Sequence, residues 1–263
     1  MSRISAQTFT LLDSIKEFFL RFAASGVIPG RWFNAKLPPE QERHRAELPL
    51  TLEIVSHCWK YSEFQLYQLS SLVNHPPTQL NIIHTVYYSK TDADTVRILN
   101  FFENKTISNV RWNFIALPKE KLFRRAIGRN MAALNTTADW IWFTDCDVVF
   151  HQGALDTLAQ QLAGRTDALV YPQTMYITQL LKKDDPLITK AKAELEVLEI
   201  DTSELSTRYF TRATGPIQIT HGDVARACGY CADLAVYQKP MARWSKCYED
   251  RAFRWLLGTK GTP

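Results

Sequence analysis

Long apolar runs are missing from this 263-residue sequence. The most apolar N-terminal stretch, Phe18 to Ile28, is interrupted by Arg21 and falls far short of the roughly 20 residues that a membrane-spanning helix needs. No cationic segment, apolar segment and small-residue cleavage site line up as a secretory signal. Cysteine is scarce and odd in number, five in all. An odd count excludes a complete intrachain disulfide framework and points to a reducing, cytoplasmic setting. Charge of either sign is in little excess: 31 Lys and Arg against 27 Asp and Glu leave +4. That balance favours anionic small molecules or an anionic surface and is too weak for a nucleic-acid partner. Internal repeats and low-complexity segments are absent as well.

What is present is enough apolar material for a sizeable core. Hydrophobic residues make up 46% of the chain, and a single domain can accommodate a chain of this length. Residues 5–25 carry Phe9, Leu12, Ile15, Phe18, Phe19 and Phe22 at helical spacing, with charged residues between them. The apolar face of this helix is expected to dock on the main domain. The alternatives are a partner helix and a peripheral contact with the inner face of a membrane through residues 5–25. Pro29-Gly30 ends the helix, and residues 34–49 read as a linker, so 1–49 forms an N-terminal extension.

From Leu50 onward, strand and helix alternate. Strands are expected at 51–56, 80–86 and 110–117, with helices at 63–73, 93–103 and 120–134. Such alternation predicts a mostly parallel sheet with helices on both faces. Beyond residue 150 the pattern predicts helices at 153–163, at 189–198 and from 248, with strands at 168–171 and 216–220. The halves 50–150 and 151–263 are expected to share one domain, the first binding a nucleotide and the second an acceptor.

The chemistry concentrates at Trp140-Ile-Trp-Phe-Thr-Asp145-Cys-Asp147, where an aromatic, β-branched run ends in two carboxylates. Side chains two apart on a strand share a face, and ligands of open α/β sheets bind at the carboxyl ends of the strands. Two adjacent carboxylates repel unless a cation lies between them. A hard divalent ion held by one or two carboxylates and phosphate oxygens meets that need.

The order of motifs resembles glycosyltransferase family 2. An Arg129-Asn130 helix precedes the Asp145-x-Asp147 strand, as in that family. Thr91-Asp92-Ala-Asp94-Thr95 follows the second strand, Cys228-Gly-Tyr230 resembles the family's Gly-Gly-Phe turn, and Glu249-Asp250 resembles the acidic pair opening its late helix. The resemblance implies a GT-A (Rossmann-like) α/β fold, with a mixed, mostly parallel sheet flanked by helices. It also implies a nucleotide-sugar donor, by default UDP-linked, Mn²⁺ or Mg²⁺, a glycan or other hydroxyl acceptor, and inversion at the anomeric carbon. Asp147, with Asp145, would hold the metal. Asp145 would also face the donor ribose, and Arg129 would meet a phosphate or hold Asp145 in place. Asp250 would be the general base, with Glu249 beside it. Where the family has Pro-x-x-Asn and an acidic pair, this chain has Ser56-His57-Cys58 and Tyr87-Tyr88, which places His57 and Tyr88 on the donor side. Gln218, His221 and Trp244 fall where acceptor contacts are expected.

Two other functions fit parts of the pattern. Asp145-x-Asp147 after an apolar strand also matches haloacid-dehalogenase-type phosphatases, with Lys182-Lys-Asp-Asp185 as the remaining acidic and basic groups. A nucleotide-sugar-binding protein without turnover is the second alternative. Cys228-x-x-Cys231 is read as a pair of structural thiols, with zinc as the weaker reading.

Overall fold

Nine helices and eight strands are formed among the described residues. The computed structural model describes residues 9–193, 195–203, 205–245 and 248–263. In chain order the elements are α1 (Leu11–Phe22), β1 (Leu50–Cys58), α2 (Ser62–Asn74), β2 (Leu80–Tyr88), α3 (Ala93–Glu103), β3 (Val110–Ala116), α4 (Lys119–Leu122), α5 (Arg125–Asn135) and β4 (Trp140–Phe143). After these come α6 (Ala154–Leu162), β5 (Leu169–Val170), β6 (Thr174–Ile177), α7 (Pro186–Ala193), β7 (Ser206–Tyr209), β8 (Gln218–His221), α8 (Gly222–Cys228) and α9 (Glu249–Leu256).

The main sheet has the order β3-β2-β1-β4-β8-β5. Its first four strands are parallel, whereas β8 runs antiparallel to both β4 and β5. This is the mixed, mostly parallel GT-A sheet that the resemblance implies. Strands buried on both faces favour continuous apolar runs; β4 has one, whereas β1 also buries Glu53, Ser56 and His57, with Glu53 accepting from the Thr85 hydroxyl at 2.6 Å. Val55, Tyr87, Ile141 and Phe143 pack under α5 and α9. On the opposite face, Ile54, Ile82, Trp140 and Trp142 meet α6, and Val86 joins the cluster beneath α2 and α3. The strands β6 and β7 form a separate antiparallel pair.

Several expectations shift for local reasons. The helix expected at 120–134 is broken into α4 and α5, because buried Arg124 leaves the helical region and pairs with Glu17 at 3.1 Å. The helix expected at 189–198 starts earlier, at Pro186. The Asp185 carboxyl accepts from Leu187 N at 3.0 Å there, and proline suits a first helical position. Residue 194, within that expected span, lies outside the described residues. The pair β6–β7 was not anticipated, since its strands are short, largely exposed and distant in sequence.

The N-terminal helix overturns its expected docking mode. Its polar side meets the domain. Buried Asp13 pairs with Lys239 at 2.6 Å, Glu17 reaches Arg124, and Leu20 enters the core. The apolar side faces outward. Residues 5–8 of the expected helix lie outside the described residues. No helix among those described is long and apolar enough to cross a membrane.

Close approach of α5 to the sheet depends on Gly128. A Cβ there would overlap Nε2 of His57 and come within 2.9 Å of the Tyr87 ring. Gly128→Ala is expected to destabilise the fold by about 1–3 kcal/mol through overpacking, and to push Arg125 and Arg129 away from the strand ends. Urea denaturation checks the first effect. A midpoint equal to that of the parent chain would show that α5 yields without cost.

Candidate active site

The carboxyl ends of β1, β2 and β4 lie side by side, and the loop after β4 carries Asp145 and Asp147. After Phe143, Thr144 N still donates to Val55 O at 3.0 Å, and the chain then turns through Asp145-Cys146-Asp147. This turn is held from below by α2. Gln68 Nε2 donates to the carbonyls of Asp145 and Val148, both at 2.8 Å, and Ser71 Oγ accepts from Phe150 N at 3.0 Å. Because the amide nitrogen serves two carbonyls, Gln68 Oε1 must accept, and His84 Nε2 donates to it at 3.2 Å. Burial lowers the His84 pKa to about 3, so its ring is neutral.

The loops after β1 and β2 are joined by Asp92. Its carboxylate accepts from Lys60 N at 2.6 Å and from the Thr95 hydroxyl at 2.8 Å, capping α3 as Asp caps do.

Asp145 faces α5. Arg129, with a side chain shut off from solvent, donates from Nη2 to Asp145 Oδ1 at 3.4 Å, and to Thr144 O and Gly215 O at 3.3 Å. Its Nη1 donates to the Tyr230 hydroxyl at 2.9 Å. Arg125, one turn earlier on the same face, also pairs with Asp145 and remains partly open. Burial opposes the Arg125 charge, but the Asp145 and Glu249 carboxylates outweigh it and raise its pKa. Asp147 is exposed. Its crowded surroundings, and then the Asp145 charge, raise its carboxyl above the usual carboxylate range.

From Arg129 a chain of hydrogen bonds runs to α9. The Tyr230 hydroxyl donates to Gln218 Oε1 at 2.8 Å, and Gln218 Nε2 donates to Asp250 O at 3.0 Å. Burial raises the Tyr230 pKa, so the hydroxyl keeps its proton for Gln218. The Tyr230 ring lies between Phe143 at 4.8 Å and Phe253 at 4.2 Å, which seats α9 against β4. Asp250 itself is partly exposed, 3.8 Å from Arg254 and beside Gly215.

The two neighbours on α9 have different surroundings. Glu249 is buried, and its Oε1 accepts from Ala126 N at 3.1 Å. It thereby satisfies one of the open N–H groups at the start of α5. Burial raises its carboxyl, and the Arg125, Arg129 and Arg124 charges pull the other way. A carboxylate so enclosed is not open to an acceptor; Asp250 is.

The structure thus brings together Asp145, Arg129, Gln218, Glu249 and Asp250, with Asp147 on the exposed rim. Tyr88 ends β2, half-buried against the α2/α3 cluster. Two residues are placed elsewhere. His57 is enclosed beneath α5, stacked on Tyr87 at 5.1 Å, and burial, then Arg129 and Arg125, keep it neutral. His221 pairs with Trp140 across the antiparallel strands, at the end of β4 remote from Asp145, where Nε2 contacts His44 O at 3.0 Å. Trp244 is exposed in the segment before α9. Sequence reasoning missed Gln68 and Arg125. The spacing of Arg125 four residues before Arg129 was the available signal. Gln68 left only the faint signal of polar Gln65, Gln68 and Ser71 at helical spacing on one face of α2.

Cys228 and Cys231 are buried thiols whose Sγ atoms reach Val224 O at 2.9 Å and Glu249 O at 3.5 Å. No group of three or more His, Cys, Asp or Glu suited to a metal occurs among the described residues. The phosphatase alternative also loses its partners, since Asp185 caps α7 rather than joining Asp145.

A six-stranded, mostly parallel sheet of this order flanked by helices matches the GT-A glycosyltransferase fold. The chain belongs to glycosyl transferase family 2, whose model matches residues 68–228. Among solved structures it is similar to S. aureus TarS 1–349, at 14% identity and a TM-score of 0.46, covering 78% of this chain and 54% of that one. The same protein in complex with UDP matches at 13% identity and a TM-score of 0.42, over 66% of this chain and 47% of that one. Its complex with UDP-GlcNAc matches at 15% identity and a TM-score of 0.36, over 46% and 34%. The chain therefore spans about half the length of the TarS structure that it matches over the longest stretch of the three. No curated protein matches the sequence.

Proposed function

We propose that this protein transfers a sugar from a nucleotide-sugar donor, by default UDP-linked, to a hydroxyl of a glycan or other acceptor, with inversion. The observation that carries this reading is the hydrogen-bonded chain Asp145–Arg129–Tyr230–Gln218–Asp250. It ties the Asp-x-Asp turn to the backbone of α9 at Asp250, the helix that carries a second, partly open carboxylate, as a displacement needs groups on both sides of the reacting carbon. Asp250 takes the proton of the acceptor hydroxyl while that oxygen bonds to the anomeric carbon. The bond from that carbon to the diphosphate breaks, and its electron pair stays on the leaving group. General-base catalysis of this kind contributes about 10²–10⁴-fold.

Asp147 and Asp145 would hold Mn²⁺ or Mg²⁺. The donor set fits: two neighbouring carboxylates, one raised first by its crowded surroundings and then by its neighbour's charge, suit a hard cation that also takes substrate phosphate oxygens. Such an ion supplies Lewis-acid stabilisation of the diphosphate. Arg125, partly open and paired with Asp145, adds positive charge on the same side. Tyr88 would stack on the base. Trp244, exposed ahead of α9, would stack on an acceptor sugar. Four free buried thiols among the described residues suit a reducing, cytoplasmic setting.

The test is hydrolysis and transfer with a panel of nucleotide sugars, with and without Mn²⁺. Metal-dependent release of nucleoside diphosphate, abolished in Asp147→Ala, is expected. Asp250→Asn should lower transfer by at least about 10²-fold while donor binding persists. Transfer that survives in Asp250→Asn would remove that residue from the role of base. Donor binding without turnover in the parent chain would favour a binding protein instead.

A further inference from the structure

The face of α1 turned away from the domain is apolar and unpartnered. Leu11, Leu12, Ile15, Phe18, Phe19 and Phe22 are 46–79% exposed, on a helix whose opposite side is fixed to the protein by Asp13, Glu17 and Leu20. A soluble surface rarely leaves a contiguous patch of this size bare. Val27 and Trp32, in the turn that follows, are exposed too.

The charges around the patch say what covers it. Both acidic residues of α1 point at the domain, where Lys239 and Arg124 neutralise them. Its two cations lie outside that docked side, with Arg21 stacking over the Tyr248 ring at its border. With successive residues about 100° apart, Lys16 and Arg21 fall on the two borders between the docked and the apolar faces, and both are exposed. Arg31 and Lys36 add exposed positive charge just beyond. An apolar strip bordered by cations matches a surface that is apolar beneath and anionic on top. A second copy of the same helix would set like charges against each other.

We propose that α1 docks this protein on an anionic lipid bilayer, with its apolar face in the boundary between headgroups and acyl chains and Lys16 and Arg21 among the headgroups. The helix lies on the surface and does not cross it. Docking would also bring the site near the lipid, because the Arg21 guanidinium lies 4.0 Å over the ring of Tyr248, next to Glu249 and Asp250. The inference does not depend on the transferase reading.

The experiment is flotation of the full chain with vesicles of phosphatidylcholine alone and of two parts phosphatidylcholine to one part phosphatidylglycerol. Binding to the anionic vesicles is expected, weakened by salt. Phe18→Glu with Phe22→Glu should lower the partition coefficient about tenfold or more. Lys16→Glu with Arg31→Glu should lower it on anionic vesicles while leaving thermal unfolding unchanged, since both side chains are exposed. Failure of the parent chain to float with anionic vesicles would overturn the proposal. So would parent-like flotation of both double variants, or a dimer that Phe18→Glu dissolves with no vesicle binding in the parent.

Discussion

Arg129→Ala is expected to destabilise the protein by about 3–5 kcal/mol, the usual cost of breaking a buried ion pair by removing one partner. The side chain is fully enclosed and serves Asp145, Thr144 O, Gly215 O and the Tyr230 hydroxyl together. Alanine would strip all four and leave a cavity between β4, α5 and α9. Domains are stable by only about 5–15 kcal/mol, so a folded fraction should remain for assay. In that fraction Asp145 loses one of its two arginine partners, and Tyr230 loses the donor that begins the path to Asp250. Donor turnover should therefore fall further than stability alone accounts for. Arg129→Lys is the informative control. An ammonium keeps the charge but cannot span four acceptors with a planar fork, so it should recover part of the stability and little of the activity. Urea denaturation beside donor turnover decides the matter. An unchanged midpoint in Arg129→Ala would mean that the buried guanidinium is not the link between β4 and α9 described above.

Gln68→Leu should have the second largest effect, through the opposite face of the sheet. Leucine has nearly the volume of glutamine, so the change tests hydrogen bonding more than packing. It would leave the Asp145 and Val148 carbonyls without the amide that bridges them, and leave Gln65 and His84 without their acceptor. Each buried polar group left unpaired costs about 1–3 kcal/mol, and a loss of about 2–4 kcal/mol is expected. The turn carrying both carboxylates would then be free to shift. Donor affinity should fall about tenfold to a hundredfold, as displacement of a positioned group by about 1 Å does. Calorimetric titration of the donor with Mn²⁺ measures this directly. Donor affinity equal to that of the parent chain in a folded Gln68→Leu would show that the turn keeps its shape without α2.

These effects rest on contacts of unequal visibility in the chain itself. Short-range physics was legible. The strands β1, β2 and β4, and the bounds of α3 with Asp92 as its cap, all depend on neighbours a few residues apart. So did the position of Asp145 and Asp147 after a buried strand. The pairing of Arg129 with Asp145 was one of two roles open to it, and the structure holds that pair with the guanidinium shut off from solvent. The fold class followed from the alternation of elements, and the motif order pointed to the family.

Direction, depth and face were not legible. Periodicity says that residues 216–220 form a strand, but a hydrophobic pattern is the same read in either direction. Only the sheet reveals that β8 runs antiparallel to β4, which carries His221 to the far end and keeps Gln218 beside Phe143. Glu249 and Asp250 are equivalent as adjacent acidic residues in a first helical turn. The packing of α9 buries one as a cap for α5 and leaves the other partly open. The break at Arg124 comes from Glu17, 107 residues earlier in the chain, and helix propensity carries no record of so distant a partner. For α1 the sequence by itself determined an amphipathic helix. Which side would dock was decided by the tertiary structure, because Lys239 and Arg124 offer its acidic side two buried ion pairs, and the apolar side is left facing out.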